Sequence, residues 1–70
     1  MKRFRIVFAN QSLDKCNIYH LIRESKSYLF FIDGDYTLRV HKKTLNCKRI
    51  KDGENKYEFN SPKAIIVVEI

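Results

Sequence analysis

The sequence predicts a small, mainly β domain: an antiparallel meander or an SH3-like or OB-like barrel, with at most one short helix within 11–24. Three observations carry that expectation. Apolar and polar residues alternate with a period of two along most of the chain, as half-buried strands require. Asp33-Gly34-Asp35 and Asp52-Gly53 interrupt the alternation where hairpins need turns. The alternating runs are rich in β-branched and aromatic residues, while the chain holds only two Gly and one Pro.

Taken in order, Lys2 to Ala9 places Phe4, Ile6 and Phe8 on one face and Arg3, Arg5 and Val7 on the other. Residues 10–26 admit two readings. As a helix, Ser12 would cap it and Asp14 would suit its first turn. Leu13, Cys16, Ile18, Tyr19, Leu21 and Ile22 would then point all round the axis instead of forming one stripe. A strand over 17–24, turning at Ser25-Lys26 and preceded by a short helical turn at 11–16, is the favoured alternative. Ser27 to Asp33 reads as a strand, and Tyr36, Leu38 and Val40 alternate with Thr37, Arg39 and His41 in the next. Leu45 to Lys51 and Asn55 to Asn60 form a second hairpin around Asp52-Gly53, with Tyr57 and Phe59 on one face. Between Cys47 and Ile50 the alternation slips, which predicts a bulge. Ala64 to Ile70, after Ser61-Pro62, is a β-branched final strand.

Leu29–Ile32 and Ile65–Val68 are apolar on both faces. Both are therefore expected to be central strands covered twice, by a barrel wall, a helix or a partner subunit. The last option makes self-association a candidate property.

Seventy residues make a single domain, 1–70, that buries roughly 60% of its unfolded surface, so its stability is marginal. An apolar fraction of 44% with nine aromatics marks a globular chain rather than a disordered tail. Ile6 to Ala9 is too short for the apolar region of a signal peptide, and Ala64 to Val68 is far short of a membrane span. The expected location is cytoplasmic, without membrane association. Cys16 and Cys47 are then reduced, partly buried thiols; a disulfide is the alternative in a secreted setting.

Charge is the most informative functional feature. Tyr36 to Lys51 holds Arg39, Lys42, Lys43, Lys48, Arg49 and Lys51 with no acid, while the remainder holds eight basic and eight acidic residues. The whole formal charge of +6 thus resides in sixteen residues. On neighbouring strands, Arg39, His41 and Lys43 face outward, Lys48 and Lys51 lie beside them, and Lys42 sits at the turn. Such a stripe suits a phosphate backbone. Arg39, His41, Lys42, Lys43, Lys48, Arg49 and Lys51 are the candidate nucleic-acid-binding residues, with Arg39, Lys43 and Lys48 as main contacts. Arg3 and Arg5 extend the stripe if the first strand lies alongside. Tyr19, Tyr28 and Tyr36 are candidate stacking platforms, though tyrosine in strands is more often packing. The plainer explanation is a solvated face whose lysines guard strand edges.

Other chemistry is weakly supported. Cys16, His20, His41 and Cys47 are zinc-type ligands, but C-x3-H then H-x5-C is not a usual pattern. On an extended strand, residues 16 and 20 stand about 13 Å apart, too far for one ion; on a helix they would be neighbours. No G-x-S-x-G, P-loop or G-x-G-x-x-G motif occurs. Asp33 and Asp35, like Asp52 and Glu54, flank a glycine and read as turn formers rather than catalytic or calcium-binding pairs. The expectation is a non-catalytic domain without cofactor or metal. It binds nucleic acid through 36–51, or alternatively serves as an interaction module for an acidic protein partner or self-associates through a strand edge.

Overall fold

The structure, a computed structural model, describes residues 1–51, 53 and 56–70. Seven strands follow one another: β1 Arg3–Phe8, β2 Asn17–Glu24, β3 Tyr28–Asp33, β4 Tyr36–His41, β5 Cys47–Lys51, β6 Tyr57–Ser61 and β7 Ala64–Glu69. All pairings are antiparallel within one sheet of order β6-β5-β4-β3-β2-β1-β7. The first six strands form the expected meander, and β7 returns to lie beside β1.

Among the described residues no helix occurs. Residues 17–24 form β2, and 9–16 are a loop with two turns, bonded from Gln11 N to Phe8 O and from Lys15 N to Ser12 O, each at 3.0 Å. Arg5 holds this loop in place: Nε donates to Lys15 O at 3.2 Å and Nη2 donates to Leu13 O. Asn17 Nδ2 braces it from the other side, donating to Gln11 Oε1 at 2.7 Å and Ile6 O at 3.2 Å.

The β3–β4 hairpin turns as its sequence requires. Asp33 pairs with Tyr36, leaving Gly34-Asp35 as a two-residue loop with Gly34 at φ +61°. Glycine first with positive φ is the II′ pattern, whose twist matches the flanking strands. The β4–β5 connection is different. Leu45, at φ +61°, belongs to the turn rather than to β5, which starts at Cys47. The Asp52-Gly53 turn and the Asn55 end of the expected strand fall on or beside residues outside those described; Gly53 itself has φ +134°.

The sheet is strongly curled. Four strand spacings separate β1 from β5, about 19 Å along a flat sheet. Arg49 of β5 nevertheless stands 5.3 Å from the centre of the Phe8 ring of β1. Curling encloses Ile6, Phe8, Phe31, Leu38, Val40, Cys47 and Ala64 on the inner face, with Phe4, Tyr19, Leu21, Leu29, Leu45 and Val67 packed against them. Phe4 and Tyr19 meet Phe31 with ring centres 5.3 and 6.3 Å apart. The curl does not close into a barrel. β6 and β7 are joined through Pro62-Lys63 but share no ladder, so each remains an edge. Two hydrogen bonds anchor the corner, Ala9 N to Lys63 O at 2.7 Å and Ala64 N to Leu45 O at 3.0 Å.

Three further expectations are corrected. Ile65–Val68 is not central: β7 is an edge strand, and Ile65 and Val68 remain 43% and 46% exposed. β3 is central, yet among the described residues no second layer covers its outer face, and Ile32 is 45% exposed there. The slip between Cys47 and Ile50 produces no bulge, because Arg49 takes the inward position regularly, opposite Leu38. An ion pair to Asp33 makes that inward arginine tolerable. Register shifts fall elsewhere, between Val7 and Phe8 and between Leu21 and Arg23.

Candidate nucleic-acid interface

Strand register sorts the seven predicted site residues onto different surfaces. Arg39 lies opposite Lys48 across β4 and β5, on the outer face, with His41 two residues along. Lys42 and Lys43 sit in the adjoining turn rather than in a strand. Arg49 and Lys51 alternate to the inner side, opposite Leu38 and beyond it. The outer face therefore keeps Arg39, His41 and Lys48, flanked by Lys42 and Lys43.

Arg49 has a structural role. Its Nε donates to Asp33 Oδ2 at 2.6 Å, its Nη1 donates to the Ser61 hydroxyl, and the guanidinium covers Phe8. Asp33 is thus more than a turn former, since its carboxylate is spent on this pair. Tyr19 lies close by, and burial raises its phenol above the ordinary value. Lys51 approaches the Tyr36 ring at 5.8 Å, where Tyr36, Tyr57 and Phe59 cluster at the open end of the inner face.

His41 organises the turn that carries the lysines. Its Nδ1 accepts the backbone N–H groups of Lys43 at 3.1 Å and Thr44 at 3.2 Å, and its ring meets Tyr28 edge-on at 5.1 Å. Lys42 Nζ bonds Glu24 Oε2 at 2.5 Å, and this hydrogen bond holds the Glu24 carboxyl below the usual carboxylate range. Lys48 reaches Glu58 at 3.2 Å. Both pairs are exposed and weakly binding, so either lysine can exchange its carboxylate for a phosphate. Arg39 has no carboxylate partner among the described residues.

Two hollows meet on the outer face. The first, about 630 Å³, includes Tyr28, Arg39, His41, Lys48, Asn60 and Lys63 in its wall. The second, about 400 Å³, is lined by Ile22, Arg23, Phe30, Thr37, Arg39, Ile50 and Lys56. Arg39 belongs to both, and among the described residues neither wall contains an acid. The guanidinium of Arg39 lies 4.6 Å from the Tyr28 ring centre, and that of Arg23 lies 3.9 Å from the Phe30 ring centre.

Arg23 reaches this face through a backbone irregularity. Leu21 pairs with Phe31, but Arg23 pairs with the next residue, Phe30, so β2 carries one extra residue. That bulge turns Arg23 outward, where regular alternation would have turned it in. Arg23, Lys56 and Lys63 all lie outside 36–51, and nothing in their local pattern marks them. Tyr28 alone among the three candidate tyrosines faces outward here. Tyr19 packs inward and Tyr36 belongs to the inner-face cluster. Arg3 and Arg5 do not extend the stripe, because β2 and β3 stand between β1 and β4.

Cys16 is exposed and Cys47 is buried, and both are free thiols. Burial raises the Cys47 thiol above its usual range. Among the described residues no three His, Cys, Asp or Glu side chains stand close enough to hold a metal ion, and no helix is long and apolar enough to cross a membrane. Comparison of the chain with protein-family models, curated proteins and solved structures found no match.

Proposed function

We propose that this chain is a non-catalytic, cytoplasmic nucleic-acid-binding domain whose interface is the outer face of β3, β4 and β5. The observation that carries it is the pair of adjoining hollows whose walls bring together Arg23, Arg39, Lys48, Lys56 and Lys63. Cations gathered on a sheet face attract a polyanion and gain from counterion release when phosphates displace salt, and the exposed Glu58 paired with Lys48 is a weak competitor. Two free thiols, one of them exposed, suit a reducing compartment.

The test is fluorescence anisotropy with labelled single-stranded DNA, duplex DNA and RNA, each titrated with salt. Five phosphate contacts would give a slope of log K against log[salt] of about −3 to −5, depending on strandedness. A triple variant, R39E/K48E/K63E, should abolish binding and keep the fold. Retention of binding in that variant would move the interface off this face. Absence of binding to all three probes at low salt would leave the positive charge as a solvated surface.

A second reading rests on a different observation. β6 and β7 are both edge strands, and Ile65 and Val68 of β7 and Ile70 just beyond it are exposed. Such an edge can add a strand from a protein partner or from another copy of the chain, and the basic face would favour an acidic partner. Mass measurement in solution separates the cases: a concentration-independent monomer argues against self-association through these edges.

A further inference from the structure

We infer that the outer face takes single-stranded nucleic acid specifically, stacking two successive bases on Arg23 and Arg39 while Lys48 and Lys63 hold the phosphates. This rests on the nucleic-acid interface proposed above and adds the strandedness and the division of labour within it.

The two hollows differ in chemistry. Around Tyr28, Arg39, Lys48, Asn60 and Lys63 the wall is polar and cationic, as a sugar–phosphate backbone needs. The second wall sets the apolar Ile22, Phe30 and Ile50 among Arg23, Thr37, Arg39 and Lys56, and such apolar surface beside cations suits the faces of bases. Arg39 stands between them and belongs to both.

The aromatic rings themselves are not the platforms. Phe30 is only 9% exposed, and Arg23 lies over it. Tyr28 is half-buried, with Arg39 over its ring and His41 against its edge. Each ring instead lies beneath a guanidinium in a cation–π contact, and both arginines also line the open hollows. A guanidinium plane held in this way is a surface on which an unstacked base settles. Neither arginine is claimed by a carboxylate among the described residues.

Access to base faces decides strandedness. A duplex hides, within its own stacking, the base faces that these planes would meet, and an unpaired strand presents them.

Anisotropy with a labelled single-stranded DNA of about a dozen nucleotides tests this against its duplex and against an abasic strand of the same backbone. The intact strand should bind more tightly than both. Loss of stacking in the abasic strand should weaken binding about 5- to 150-fold for each platform vacated. R23K/R39K keeps both charges and removes both planes, so its affinity for the intact strand should fall by a similar factor with an unchanged salt slope. Equal, salt-dependent binding of intact strand, abasic strand and duplex would overturn the stacking inference and leave the charged interface standing. So would R23K/R39K with undiminished affinity. Failure of every probe to bind would remove both.

Discussion

Arg49 offers the sharpest separation between a residue that supports the fold and one that binds. Replacing it with Met keeps an unbranched apolar stem over Phe8 but removes the bonds to Asp33 and Ser61. The Arg49 and Asp33 side chains retain 21% and 28% exposure, so water reaches the abandoned carboxylate in part. Removing one partner of a fully buried pair costs about 3–5 kcal/mol, and a hydrogen bond to a charged group contributes about 1.5–3 kcal/mol. The partial exposure places R49M in the lower range, about 1.5–3 kcal/mol. A seventy-residue domain has a total stability of roughly 3.5–10 kcal/mol, so this is a large share. At about 4–8 °C per kcal/mol, the melting midpoint should fall by roughly 6–24 °C. Circular dichroism melts of wild type, R49M, D33N and the double variant give the coupling between the two residues. Affinity of folded R49M for the single-stranded probe, measured well below its midpoint, should match wild type. Coupling under about 0.5 kcal/mol would show that the pair does not hold β3 to β5. An R49M that melts normally yet binds poorly would place Arg49 in the interface and refute the inward assignment.

Three other outcomes follow from the same structure. Under native conditions a thiol reagent such as dithionitrobenzoate should modify Cys16 alone, with Cys47 reacting only after unfolding; rapid modification of both would contradict the burial of Cys47. The Tyr57 hydroxyl, hydrogen-bonded to that of Tyr36, raises the Tyr36 phenol above its ordinary value. Its stabilisation is therefore complete below about pH 10 and lost as pH rises through the higher folded value, so wild type should lose thermal stability in alkali more steeply than Y57F. Gly34→Ala meets no neighbouring atom but must hold φ +61°, so it should cost about 1 kcal/mol by chemical denaturation; an unchanged midpoint would mean that the turn relaxes freely.

Local pattern was enough to read much of the fold. Alternation identified β1 and β4, Gly34 marked the β3–β4 turn, and the scattered apolar residues of 17–24 argued correctly for a strand. These features are encoded by neighbours two positions apart or by one residue's backbone freedom. The acid-free segment 36–51 likewise drew attention to Arg39 and Lys48, which register places opposite each other.

What only the tertiary structure decided depends on contacts between distant segments. Ile65–Val68 has the composition of a central strand yet lies at an edge, because strand order follows from how the sheet curls and not from any strand's own residues. Arg49 is as basic as Arg39, but the two face opposite sides. Register puts Arg49 opposite the inward Leu38, and Asp33 and Ser61, sixteen and twelve positions away in the chain, satisfy it there. Arg23 joins the outer face only because one extra residue in β2 reverses its direction. Charge and hydropathy are properties of residues, whereas facing and adjacency are properties of the folded sheet.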